Sequence, residues 1–318
     1  MTKTPKLLLL WLATALSFIG FVGGFNIVID PFGYFGMNSL GYYFTSEHQF
    51  KFRLVRGYDY NAIILGDSRI AFSDPSYINL PGYRFVNGGI AGASISELVS
   101  LLSASRLDRL KLAVIGLEYG DLGPCDSEVP ATEYISWDAL RFAVSWTQLG
   151  YAINTVEARA NDEDPKYHAD GTRSIVAKEF GESVFDSKTQ RYWGKIQAQT
   201  DNGGGDLQPD VGPKCRVLLE RARALSDRYG FALLVVFLPR DRDLLTHWRA
   251  HSPKANETIK GFLAQVKEVV PYVVDLTNSS FSDSMNFWLD DPTHFRPEVG
   301  AQVIEEAIRQ SFDTQASK

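Results

Sequence analysis

Two short blocks far apart in the chain carry side chains suited to nucleophilic chemistry: Gly66-Asp67-Ser68-Arg69 and Asp291-Pro292-Thr293-His294. A serine hydroxyl is a weak nucleophile at neutral pH. It needs a base to take its proton, and the base needs a partner that fixes its tautomer. Asp291 and His294 lie three residues apart, so one short loop can supply both the orienting acid and the base. With Ser68 they complete a Ser-His-Asp set. Of the five histidines, only His294 has an aspartate at minus three; His48, His168, His247 and His251 read as surface residues. His247 and His251 have a chelating i, i+4 spacing, but no third ligand accompanies them, so neither metal nor cofactor is expected.

The elements around these blocks must bring them together. The run Ala62-Ile63-Ile64-Leu65 ends at Gly66 and reads as a buried strand that delivers Ser68 into the turn at its C-terminal edge. Open α/β sheets place their sites at that edge. The spacing predicts strands at 61–65, 83–87, 112–117, 231–238 and 272–276. It predicts helices near 94–106, 214–229, 255–269 and 297–311. Gly230 suits the C-cap of the second of these, and Pro297 the first turn of the last. Alternating strands and helices imply a three-layer α/β/α sandwich with a mainly parallel five-stranded sheet. Between about 121 and 213 lies an insertion that five strands do not require. It carries Trp137, Trp146, Tyr151, Tyr192 and Trp193 and is expected to wall the site.

A third block, Val86-Asn87-Gly88-Gly89, follows the second strand. In this order the chain resembles the SGNH (GDSL-like) hydrolase superfamily over roughly residues 59–312. The resemblance implies a Ser68 nucleophile, a His294 base oriented by Asp291, and an oxyanion held by the Ser68 and Gly89 N–H groups. It also implies a flavodoxin-like sheet. One block departs from the pattern, because Gly120 stands where the superfamily places an oxyanion asparagine. Losing such a donor costs on the order of 10²–10³ in rate.

Neighbouring residues are open to two readings. Asp67 suits a turn, bonding backbone N–H groups. Arg69 either meets an anionic substrate group or makes a structural ion pair. Asn87 either contacts substrate or shapes the turn that presents Gly89. Glu118, after the third strand, either contacts substrate or stands as a solvated rim carboxylate. Arg240, after the fourth strand, is a second-rank substrate-binding candidate.

The net charge of −6 and pI near 5.5 argue against a nucleic-acid partner. The cysteines Cys125 and Cys215 fit no metal pattern. They either pair, if the domain is exported, or stay as two buried thiols, the reading favoured from spacing alone. Residues 7–29 form an apolar run preceded by Lys3 and Lys6 and followed by Asp30. Such a run reads as a cleaved signal peptide or an uncleaved single-pass anchor. Its length and the lack of a small-x-small cleavage site favour the anchor, with residues 1–6 cytoplasmic and the bulk of the chain outside the cell membrane of a bacterium. An aromatic connector (30–58) then leads to a catalytic domain (59–312) and a short tail (313–318).

Membrane-anchored proteins with this layout resemble those that add or remove O-acetyl groups on bacterial surface polysaccharides, some beside a multispanning acyltransferase. The expected function is therefore serine-dependent acyl transfer or acyl-ester hydrolysis on an envelope glycan. The alternatives are a lipase or thioesterase, and a degenerate member that binds glycan or scaffolds an assembly.

Overall fold

The computed structural model describes residues 4–118, 125, 139–174, 192–194, 197, 211–251, 255–288 and 291–316. In chain order the helices and strands are α1 (Thr4–Ile29), α2 (Glu47–Gly57), β1 (Ala62–Leu65), α3 (Ser68–Ala71), β2 (Phe85–Asn87), α4 (Ile95–Ala104) and β3 (Leu112–Leu117). After β3 come α5 (Ala139–Ala143), α6 (Trp146–Ala160), α7 (Pro213–Tyr229), β4 (Ala232–Phe237), α8 (Arg242–His251), α9 (Ala255–Val269) and β5 (Tyr272–Asp275). The chain closes with β6 (Phe287–Trp288), β7 (Asp291–Phe295) and α10 (Pro297–Ala316).

The five predicted strands form one sheet in the order β2-β1-β3-β4-β5, and every pairing is parallel. Both faces are covered, which is why β1 and β3 are apolar at every position rather than alternating. On one face Ile63, Leu65, Ala113, Ile115, Val235 and Phe237 pack against α2, α4, α7 and α9. On the other, Ala62, Ile64, Val114, Leu234 and Val236 meet Val299, Val303, Ile304 and Ala307 of α10. Gly230 ends α7 in the left-handed conformation, as its position suggested. After β1 the chain steps outward to β2 and then crosses back to β3, so the C-terminal end of β1 lies where the winding reverses direction.

Three features differ from expectation. The connector 30–58 contains α2, whose buried Lys51 between Phe50 and Phe52 breaks the apolar pattern that would have announced a core helix. Asp291 and His294 lie on a strand, β7, paired antiparallel with β6, rather than on a loop. Cys125 and Cys215 are joined in a disulfide, which corrects the two-thiol reading: their Cα atoms are 5.3 Å apart, a bridging separation that spacing along the chain cannot reveal.

Helix α1 contains the apolar stretch Lys6–Ile29, long and apolar enough to cross a membrane, with mean hydropathy 2.1. The insertion does not wall the site with all of its aromatics. Phe32, just past α1, packs edge-on against Tyr151 and Phe142, and Trp146 lies against Phe18 of α1. Tyr192 instead donates to Asp241 Oδ1 at 2.6 Å, near the C-terminal edge of the sheet. Trp137 falls outside the described residues.

Candidate active site

Ser68 opens α3 directly after β1. The Asp67 carboxylate caps that turn by accepting the Arg69 N–H at 2.9 Å. Ile70 of the same turn is buried against the α10 face of the sheet, which fixes the turn from below. β7 then brings His294 over it. Ser68 Oγ lies 2.8 Å from His294 Nε2, and His294 Nδ1 lies 3.0 Å from Asp291 Oδ2. Asp291 is nearly buried, and its second oxygen accepts the Thr293 N–H at 2.8 Å, which locks the carboxylate toward the ring. Phe72 packs edge-on against the imidazole with centroids 5.5 Å apart. The three residues predicted to act together therefore meet in one hydrogen-bonded line.

The N–H groups expected to hold an oxyanion are arranged differently. The Gly89 N–H donates to Asn87 Oδ1 at 2.8 Å, so in this arrangement it is engaged inside its own loop. Gly89 sits hard against α3: a Cβ there would strike the Ala71 backbone, so only glycine lets the loop approach this closely. The Ser68 N–H stands at the first turn of α3. Gly120 lies outside the described residues.

Asn87 is fully buried and does not face a substrate. Its Nδ2 donates to Ile70 O at 2.6 Å and Ser73 O at 2.7 Å, tying the glycine loop to the far end of α3. Below it lies Lys51, a residue that sequence inspection passed over. Lys51 Nζ donates to Asn87 O at 2.9 Å, Asn87 Oδ1 at 3.2 Å and Gly171 O at 2.5 Å. Gly171, at φ 96°, closes the turn that places this last carbonyl. Burial pushes the Lys51 ammonium down to about 7, against the pull of Glu47 and Asp170, with Arg173 adding to the fall. The only sequence signal was a lysine set between two phenylalanines of an apolar stretch.

Arg69 is also buried, at 2% exposure, and has the ion-pair geometry of its second reading. Its Nη2 lies 2.6 Å from Glu118 Oε1, and its Nη1 donates to Pro239 O at 3.0 Å. Glu118 Oε2 meets Arg240 Nη2 at 2.6 Å. Burial raises the Glu118 carboxyl, but Arg240 and Arg69 outweigh it and hold the group below the usual carboxylate range. Asp67 shifts the other way: burial raises it, and Arg69 only partly offsets this. Of the four substrate-binding candidates, Arg69 and Asn87 are thus internal braces, while Glu118 and Arg240 form a partly exposed pair at the edge. His48, expected at the surface, lies 3.0 Å from Glu97 Oε1.

No family model matches this chain, and no curated protein matches it.

Proposed function

We propose that the protein is a membrane-anchored serine acyltransferase or acylesterase of SGNH type, working through an acyl-Ser68 intermediate on an exported or cell-envelope glycan. The observation that carries this reading is the unbroken line from Ser68 Oγ through His294 to Asp291 at the C-terminal edge of β1. In the acylation step, Ser68 Oγ bonds the acyl carbon while His294 Nε2 takes the hydroxyl proton. The tetrahedral oxyanion collapses, and the leaving alcohol departs with that proton. A second hydroxyl, from water or a sugar, then gives its proton to His294 as it attacks the acyl-serine, and Ser68 is released. Asp291 holds the ring tautomer and offsets the imidazolium charge.

The anchoring half of the reading rests on the apolar run of α1, with Lys3 and Lys6 at its N-terminal end. The Cys125–Cys215 disulfide suits an oxidising compartment outside the cytoplasm. A multispanning acyltransferase is the proposed acyl supplier, and the aromatic, glycine-bearing connector suits a juxtamembrane position.

A second reading is favoured by one observation, the engagement of the Gly89 N–H by Asn87. A site short of oxyanion donors binds a glycan without turning it over. A fluorophosphonate probe separates the two. Covalent labelling of the wild type, absent in Ser68→Ala, supports the enzyme; an unlabelled wild type leaves only the binding protein. Acyl-enzyme breakdown with and without oligosaccharide then divides transferase from esterase.

A further inference from the structure

The start of helix α6 is built inside out for a helix in water. The residues the helix buries are Gln148, Ala152, Thr155 and Ala158. At its start it exposes Trp146 at 66%, and Val144 in the preceding turn is open too, whereas Ile153 and Val156 farther along share the surface with Asn154 and Glu157. Helices packed within lipid show this distribution, with small and hydroxyl residues at the helix contact and large apolar ones outward.

The neighbour of α6 is α1. Val144 Cγ1 lies beside Gly23, and the Trp146 and Phe18 rings are 5.7 Å apart. Phe18 is eleven residues before the end of α1, about 16 Å along its axis, and a bilayer core is only about 30 Å thick. If α1 crosses the membrane, the Trp146 ring therefore lies well inside the hydrocarbon. The turn before it lies less deep, beside Gly23 and Asn26 of α1, where backbone carbonyls still have no water to bond. The turn between α5 and α6 meets this need, since Asn26 Nδ2 donates to Ala143 O at 2.6 Å and Ser145 O at 3.2 Å. That role explains a polar, fully buried asparagine in an apolar helix. Charges return at Glu157 and Arg159, toward the other end of α6, where Arg159 meets Asp162 at 3.6 Å. Arg141, just before the turn, has a stem long enough to carry its charge to the headgroups.

We propose that the α5–α6 turn and the first residues of α6 are embedded in the bilayer beside α1, with lipid acyl chains covering Val144 and Trp146. The surface is continuous with the exposed apolar face of α1, which selects lipid as the occupant. This inference rests on the anchor reading of α1. Two elements in lipid fix the orientation of the catalytic domain over the membrane, where a single tether would leave it free to swivel. The substrate would then be one presented at the membrane surface.

The test uses the full chain in phosphatidylethanolamine/phosphatidylglycerol nanodiscs. Its two cysteines are joined, so each single cysteine put in place of Leu12, Val144, Trp146 or Asp108 can be labelled with an environment-sensitive fluorophore. The inference expects loss of fluorescence with doxyl-labelled lipid and protection from iodide at Val144 and Trp146, as at Leu12, with the reverse at Asp108. Iodide quenching at both Val144 and Trp146 while Leu12 is quenched by lipid overturns this inference and leaves the anchor standing. Iodide quenching at Leu12 removes the anchor and the inference with it. Labels on α6 that become lipid-accessible only after extraction from native membranes assign the face to a protein partner and overturn the lipid assignment.

Discussion

The Asn87 side-chain oxygen accepts the Gly89 N–H at 2.8 Å, and the same oxygen takes a bond from Lys51 at 3.2 Å. One buried amide therefore sets both the glycine loop and the far end of the helix that begins with Ser68. Asn87→Ala leaves the Ile70 and Ser73 carbonyls and the Lys51 ammonium short of partners. Each buried group so abandoned costs about 1–3 kcal/mol. Urea unfolding should show a loss of at least ~2 kcal/mol, with weaker fluorophosphonate labelling at Ser68. A variant of wild-type stability and labelling would mean that Asn87 does not brace the site.

The Ser68–His294–Asp291 line predicts strong non-additivity. Ser68→Ala and His294→Ala should each lower turnover of an acyl ester by about 10³-fold or more, and the double variant should lose little beyond either. Steady-state rates on an aryl acetate decide it. Near-normal turnover by Ser68→Ala would remove the serine from the mechanism.

The strands, and the two blocks that hold Ser68 and the Asp291/His294 pair, were legible because their signals are local. Runs such as Ala62–Leu65 and Leu112–Leu117 announce buried parallel strands, and Asp291 lies close in sequence to His294. Residues whose roles depend on distant partners were not. Lys51 bonds Gly171, 120 positions away, and nothing near it in the chain names that carbonyl. Arg69 looked available to a substrate until Glu118 and Pro239, from the ends of two other strands, were seen to enclose it. Trp146 was illegible for a related reason: an aromatic of the insertion reads as a site wall, and nothing near it in the chain names Phe18 of α1 as its neighbour.

Arg69 and Arg240 share the Glu118 carboxylate but should fail in different ways. Arg69 is buried, and removing it abandons the Pro239 carbonyl while Glu118 keeps Arg240, a cost of about 1–3 kcal/mol. Arg69→Met should thus lose stability by about that amount. Arg240 is partly exposed, with side-chain accessibility of 19%. Arg240→Met should unfold near the wild-type midpoint and raise KM for an anionic acceptor with little change in kcat. Denaturation midpoints beside steady-state kinetics check both, and the opposite ranking in stability would reverse the assignment.

Lys51 gives the fold a pH dependence with a definite sign. In the folded chain its ammonium is pushed down to about 7, chiefly by burial, from an ordinary value of 10.5. The charged groups facing it are Glu47 on its own helix, and Asp170 and Arg173 on the segment that carries Gly171. Above pH 7 the unfolded chain keeps this proton and the folded chain releases it. The unfolded state therefore binds more protons, and stability rises with pH through that window. The slope from this group is at most about 1.4 kcal/mol per pH unit, and below pH 7 its contribution is flat. Lys51→Met has no proton to release. Urea unfolding of both proteins from pH 6 to pH 9 should show the wild type gaining on the variant as pH rises. Parallel profiles would mean that Lys51 stays charged, held by its three carbonyl partners against the cost of burial.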